Sequence, residues 1–201
     1  KAATLLVVAS PCAIVISVPA AVLSAIAAAA RHGVLFKGGA ALEDFGNVST
    51  IAFDKTGTLT EGKMAVSHVT VLEGEETEFF SIVATLEAES DHPLARSITE
   101  YLAERGVRQL EAHDAAAIPG QGVIATMGGA RYWAGNRTLL TSEQASITSE
   151  VEALLESLED RGETPVIVGQ EQTILGVVAL SDVVRRESAG MIKSLYVAGV
   201  K

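Results

Sequence analysis

From Ala2 to Ala30 the chain carries no charged residue, and no other feature limits so strongly what it can fold into. At roughly 1.5 Å of rise per helical residue, such a run crosses a hydrocarbon core of about 30 Å. A helix suits that medium because it satisfies its backbone polar groups internally. Residues 1–31 are therefore expected to form a transmembrane helix in a lipid bilayer. Arg31, His32 and Lys37 follow it, and cations at that end place the residues after about 31 in the cytoplasm. A secretory signal would have a shorter apolar core and a small-residue cleavage site. The competing reading, an Ala-rich helix buried in a soluble core, is kept open by Pro11 and Pro19 and by the abrupt start of the run.

Charge divides the chain sharply. Every acidic residue lies at Glu43 or later, so residues 1–42 hold only Lys1, Arg31 and Lys37, and the remainder has 12 basic against 25 acidic residues. An acidic body argues against a nucleic-acid partner, because phosphate backbones are held by Lys and Arg. Cys12 is the single cysteine, which excludes an internal disulfide framework.

After a Gly-rich exit at 33–39, the stretch Val48 to Phe53 has the pattern of a short strand running into Asp54. A strand that delivers a carboxylate to its C-terminal end, followed by a Gly/Thr-rich loop, is a catalytic arrangement of open α/β sheets. Residues 63–175 read as an α+β insertion. Strands are expected at Ala65–Leu72, Pro165–Val168 and Thr173–Leu180, and a hairpin closes at Gly128-Gly129. Helices are expected at Glu76–Glu89, Leu94–Arg105 and Ile147–Arg161. Ser181-Asp182 reads as a cap for a last helix from about Val184 to Tyr196. The expected divisions are a membrane helix at 1–31, a linker and first part of an α/β domain at 32–62, the insertion at 63–175 and the return at 176–201. The α/β sheet is expected to be incomplete.

The loop chemistry fits phosphoryl transfer. In Asp54-Lys55-Thr56-Gly57-Thr58-Leu59-Thr60 the carboxylate of Asp54 attacks phosphorus when an acyl phosphate is wanted as an intermediate. Lys55 offsets charge, and the hydroxyls and N–H groups of Thr56, Gly57 and Thr58 cradle phosphate oxygens. A bare D-x-x-G stretch is equally an Asx turn after a strand. The overlapping Gly57 to Met64 segment has G-x4-G-K spacing, but Met64 replaces the Ser/Thr that reaches Mg²⁺. A strand pattern also follows where a phosphate-binding loop needs a helix.

The seven-residue string matches, over its whole length, the phosphorylation signature of P-type ATPases, and other segments resemble the heavy-metal branch of that family. The resemblance implies a partial haloacid-dehalogenase-like, Rossmann-like phosphorylation domain with an inserted nucleotide-binding domain. It also implies ATP as substrate and Mg²⁺ held at Asp54 and Thr56. Ser90-Asp91-His92-Pro93-Leu94 is similar to the branch's His-Pro motif, where the His orients the nucleotide, and Glu87 matches a nucleotide-contacting acid. Pro93 after a capping residue is also ordinary helix punctuation. Gly120-Gln121-Gly122 and Gly135-Asn136 resemble the residues lining the adenosine pocket, although hairpins and bulges place glycines likewise. Asp182-Val183-Val184-Arg185 is similar to the D-x-x-R segment at the hinge, and Asp182 is assigned with the nucleotide-binding residues.

Ser10-Pro11-Cys12 resembles the intramembrane metal motif. The proline frees a backbone carbonyl, Cys12 supplies a soft thiolate and Ser10 a hard oxygen. Copper pumps usually carry cysteine on both sides of the proline; serine here resembles the cobalt/zinc-type subgroup, with Co²⁺, Zn²⁺, Fe²⁺ and Cd²⁺ all open. The function implied is ATP-driven efflux of a divalent heavy-metal cation through a bacterial inner membrane. The remainder of the pump (actuator domain, further helices, rest of the phosphorylation domain) is a necessary partner. The 201 residues alone are expected to bind nucleotide without efficient turnover. Two rivals stand beside this reading. A haloacid-dehalogenase-type phosphatase would carry a second Asp two residues after the nucleophile, where this chain has Thr56. A membrane-tethered nucleotide-binding module would bind ATP without phosphoryl transfer.

Overall fold

The structure, a computed structural model, describes residues 12–201, the side chains of Cys12 and Ala13 excepted. It divides into two compact units. One comprises the described residues up to Ala52 together with Ala189–Lys201, and the other is Phe53–Ser188.

In the first unit, helix α1 (Cys12–Arg31) contains Pro19, and its stretch Ile14–Arg31 is long and apolar enough to cross a membrane, with none of it buried. Outward-facing apolar side chains such as Ile16 and Leu23 are what a lipid-facing helix needs and what a buried core helix of a soluble domain lacks. Helix α2 (Gly39–Gly46), which the sequence reading missed, sits close to α1: a Cβ on Gly39 would meet Val22 Cγ1 at 2.9 Å. Phe36 and Phe45 meet edge to face with ring centroids 5.6 Å apart. The strand expected at Val48–Phe53 is reduced to one contact. The Ile51 N–H donates to the Lys201 carbonyl, and the Lys201 N–H donates to the Ser49 carbonyl, both at 2.9 Å. Bonds from one residue to both flanks of another are the pattern of a parallel pair.

The second unit is built on a six-stranded antiparallel sheet, ordered β1-β6-β5-β4-β3-β2. Its strands are β1 (Thr60–Val71), β2 (His113–Ile118), β3 (Gly122–Met127), β4 (Ala130–Gly135), β5 (Thr164–Gln170) and β6 (Thr173–Val184). The sheet runs from Thr60 to Val184, so the divisions expected at 62/63 and 175/176 fall inside β1 and β6. Side chains along a strand alternate between faces, and here both faces are covered. Val166, Val168, Val178 and Leu180 enter one core with Phe79, Val83, Leu86 and Ile98. Their neighbours Ile167, Val177 and Ala179 enter a second with Trp133, Leu139, Leu155 and Leu158. This explains why β5 and β6 read as continuous apolar runs.

Helix α3 (Glu76–Glu87) buries Phe79, Ile82, Val83 and Leu86, the one-face spacing of a helix, with Glu76 and Glu78 in its first turn where the dipole favours acids. Helix α4 (Pro93–Ala103) adds Ile98 and Leu102 to the same core. On the other face lie α5 (Arg137–Ser142), which the sequence reading missed, and α6 (Ser149–Asp160). The Thr148 hydroxyl accepts from the Val151 N–H to cap α6, and Val151, Leu155 and Leu158 are buried. Each large side chain so buried contributes about 1.5–3 kcal/mol relative to exposure. The last helix is α7 (Arg186–Val197). Between β5 and β6 the chain turns at Glu171, which has φ 51. Gly169 lies inside β5, where a Cβ would strike the Trp133 ring.

Candidate functional site

Asp54 and the residues after it form an exposed turn before β1. Asp54 is extended (φ −70, ψ 141), Thr56 likewise (φ −77, ψ 121), and Gly57 has φ 78, which an L side chain rarely adopts. A Cβ on Gly57 would meet nothing within 4 Å, so the loop is open on that side. The Asp54 carboxylate makes no hydrogen bond among the described residues and is exposed. Lys55 reaches across to donate from Nζ to the Gly162 carbonyl at 3.3 Å. Thr58 is also exposed.

Buried Thr60 holds the loop. Its hydroxyl lies 2.5 Å from Asp182 Oδ2 and 2.9 Å from the Lys55 carbonyl, and it accepts from the Gly57 N–H at 3.1 Å. Asp182 Oδ1 accepts from the Lys63 N–H at 3.0 Å. Arg185 donates from Nη2 to the Gly57 carbonyl at 3.1 Å, and the buried Ser188 hydroxyl donates to the Leu59 carbonyl at 2.7 Å. Asp182, assigned from the sequence with the nucleotide-binding residues at a hinge segment, stands among the groups that fasten the loop. A carboxylate with both oxygens occupied by Thr60 and Lys63 is spent on joining two chain crossings.

The other six residues of that assignment, Glu87, His92, Gly120, Gly122, Gly135 and Asn136, line one cavity of about 420 Å³ in the same unit, within the size range of small-molecule sites. Glu87 ends α3 and is 6% exposed. Burial pushes its carboxyl up from the usual 4.5 to about 7, because desolvation disfavours the charged form. His92 caps α4: its Nδ1 accepts from the Leu94 N–H at 3.2 Å, so the neutral ring carries its proton on Nε2 and offers that N–H as a donor.

Gly122 and Gly135 are paired across β3 and β4. A Cβ on Gly122 would fall on the Ala134 carbonyl oxygen and come within 2.6 Å of Gly135 Cα; one on Gly135 would fall on the Gln121 carbonyl oxygen. The pair lets two backbones close to form the cavity wall. Asn136 acts on the same wall. Its Oδ1 accepts from the Thr138 and Leu139 N–H groups at 3.0 and 3.2 Å, capping α5, and its Nδ2 donates to the Gly120 carbonyl at 2.8 Å. It thereby fixes the 118–122 turn to the start of a helix.

The sequence reading did not find Thr164, Pro165 and Val166 on this wall. They reach it through register: Gly135 pairs with Ile167, which sets the start of β5 beside the end of β4. No local pattern announces such a pairing. Ser10 and Pro11 of the intramembrane motif lie outside the described residues, and of Cys12 only the backbone, at the start of α1, is described.

An exposed Asp at the end of an extended segment, a turn opened by glycine beyond it, and a sheet domain inserted after that turn define the class. The chain belongs to the haloacid dehalogenase-like hydrolase family, whose pattern matches residues 48–201. Within that class, what it resembles along nearly its whole length are heavy-metal-transporting P-type ATPases. It is 42% identical to a probable cadmium-transporting ATPase of Staphylococcus aureus over 98% of this chain and 28% of that protein. It is 40% identical to the zinc/cadmium/lead-transporting P-type ATPase of Escherichia coli over all of this chain and 27% of that protein. Among solved structures, a zinc-transporting PIB-type ATPase in its E2.Pi state superposes with a TM-score of 0.78 at 38% identity, covering 95% of this chain and 31% of that one. The chain thus spans little more than a quarter of the length of these curated relatives.

Proposed function

We propose that this chain is the energy-transducing segment of a pump that exports a divalent heavy-metal cation, using ATP through an aspartyl phosphate on Asp54. The observation that carries the reading is the conjunction, within one unit, of an uncommitted exposed carboxylate on a glycine-opened turn and a separate cavity of nucleotide size. Two sites suit a reaction in which one part of the protein holds the nucleoside and another receives the phosphoryl group.

In the cavity, His92 Nε2–H and the Glu87 carboxyl are the polar groups that orient an adenine ring against apolar walls, and the Gly122–Gly135 approach leaves room for its sugar. At the loop, the Asp54 carboxylate oxygen attacks the γ-phosphorus. The bond from that phosphorus to the β,γ-bridging oxygen breaks and ADP departs. The Lys55 ammonium and the N–H groups at Thr56 and Thr58 bind the equatorial oxygens as charge builds on them, while the Gly57 N–H is held by the Thr60 hydroxyl. A Mg²⁺ ion fits this donor set. Asp54 offers one free carboxylate and Thr56 an exposed hydroxyl, and Mg²⁺ is commonly held by one or two carboxylates plus substrate phosphates. When bound, it supplies neutralisation of phosphate charge.

Thr56 at the second position after Asp54 supports a pump over a phosphatase. A carboxyl there serves as acid and base to speed acyl-phosphate hydrolysis, whereas a threonine hydroxyl does not titrate in the working range, so the intermediate persists. The cargo reading rests on Ser10 and Cys12, a mixed hard and soft pair that favours Co²⁺ or Zn²⁺ over Cu⁺, with Cd²⁺ and Fe²⁺ also within reach. Relatives named for cadmium, zinc and lead transport support a divalent cargo. The α1 helix anchors the segment in a bacterial inner membrane, with the sheet unit in the cytoplasm.

The test is metal-dependent ATPase activity of the intact pump across Co²⁺, Zn²⁺, Cd²⁺ and Cu⁺, with labelled phosphate trapped on Asp54 by acid quench and lost in Asp54→Asn. Rapid metal-independent hydrolysis of small phosphomonoesters, with no trapped label, would overturn the proposal in favour of a phosphatase.

A further inference from the structure

Helices α4 and α6 end in the same way. After α4 the Gly106 N–H donates to the Ala103 carbonyl and the Val107 N–H to the Leu102 carbonyl; after α6 the Gly162 N–H donates to the Glu159 carbonyl and the Glu163 N–H to the Leu158 carbonyl. Both glycines are left-handed, with φ 69 and 70, as helix-ending glycines usually are. They differ in what stands outside them. A Cβ on Gly106 would meet nothing within 4 Å, but one on Gly162 would lie 2.7 Å from Lys55 Nζ, the ammonium that donates to the Gly162 carbonyl at 3.3 Å.

We infer that the Gly162 carbonyl is a docking point that positions the Lys55 ammonium for phosphoryl transfer, which makes Gly162 a positioning residue acting through Lys55. The inference rests on the pump reading above. Its physical basis is the neutrality of the acceptor. A carboxylate in this place would orient the lysine and also cancel its charge. A backbone carbonyl, just past the end of α6, orients the ammonium and leaves its full charge and two further N–H donors for a phosphate. An ammonium on a four-carbon stem otherwise loses considerable rotamer freedom when it is fixed, and a charge oriented beforehand stabilises a transition state without reorganisation. The loop is then fastened on two sides, by Arg185 at the Gly57 carbonyl and by Lys55 at Gly162.

The paired glycines supply the experiment. Gly162→Ala and Gly106→Ala impose the same backbone strain at matched helix ends, but only the first drives a methyl group against the ammonium. Made in the intact pump, both variants are expected to lower the melting temperature equally and to leave ATP affinity in the cavity unchanged. Rapid-quench formation of labelled phosphate on Asp54 is expected to slow about five-fold in Gly162→Ala and not in Gly106→Ala, the scale of one ordinary hydrogen bond in water. If strain prevents either alanine variant from folding, Gly162→Asn and Gly106→Asn repeat the comparison, since Asn tolerates the left-handed region. Equal phosphorylation rates in the paired variants overturn the inference while the pump reading stands. Absence of labelled phosphate on Asp54 in the unsubstituted protein overturns the pump reading, and this inference with it.

Discussion

Replacing Glu87 by Gln isolates the energetic consequence of keeping a carboxyl in the cavity wall. Glu87 is 6% exposed, and burial raises its pKa from 4.5 to about 7. The folded state therefore binds a proton more tightly than the unfolded chain does. Stability from this group is fully present below pH 4.5, falls as pH rises toward 7, and is lost above it. At about 1.4 kcal/mol per pKa unit, the swing across that window is on the order of 3 kcal/mol. Gln has nearly the same shape and stays neutral, so Glu87→Gln removes the swing. Other groups titrate in both proteins and cancel in the difference. Urea denaturation of the unit Phe53–Ser188, with and without the substitution, is expected to give curves that converge near pH 4.5. They should separate to about 3 kcal/mol in favour of Gln at pH 8. Parallel curves between pH 5 and 8 would refute the argument, because they would mean that Glu87 titrates alike in folded and unfolded chains. The same variant is expected to bind ATP more weakly at pH 8, which isothermal titration would measure, since a carboxylate that accepts from a ligand N–H forms a stronger bond than an amide does.

Two further substitutions test the supports of the two sites. Asn136→Ala removes the α5 cap and the bond to the Gly120 carbonyl; it is expected to cost about 1–2 kcal/mol by denaturation and to weaken ATP binding. Asn136→Asp keeps the cap acceptor but loses the Nδ2 donor, and is expected to fall between the two in both measurements. Thr60→Val leaves Asp182 Oδ2 and the Gly57 N–H without the hydroxyl that now meets both. It is expected to cost about 1–3 kcal/mol by denaturation and to speed amide hydrogen exchange at Gly57.

How much was legible can be followed through particular residues. The helices α3, α4 and α6 and the hairpin at Gly128-Gly129 are readable because their cores recur at helical or strand spacing and their ends carry caps and glycines. β2 (His113–Ile118) was missed because its burial is slight; it is an edge strand, held by pairing to β3. α5 is too short to show a period, and only Asn136 at its start is a signal. The strand expected before Asp54 is one parallel bridge, because pairing belongs to two segments and the sequence displays them one at a time.

The sequence by itself determined the chemistry available: an uncharged helix long enough for a bilayer, a carboxylate in a Gly/Thr loop, an acid, a His-Pro pair and glycines in an order that resembles a nucleotide site. These depend on residue type and local spacing, which the chain states directly. Only the tertiary structure decided which of them meet. It brought Glu87, His92 and the glycines to one wall, added Thr164 to Val166 through the register of β4 and β5, and drew Asp182 away to bind Thr60 and Lys63. It also set Lys55 against Gly162, residues far apart in the chain. Contacts of that kind follow from how two buried sheet faces close on their helices, and no single segment contains that information.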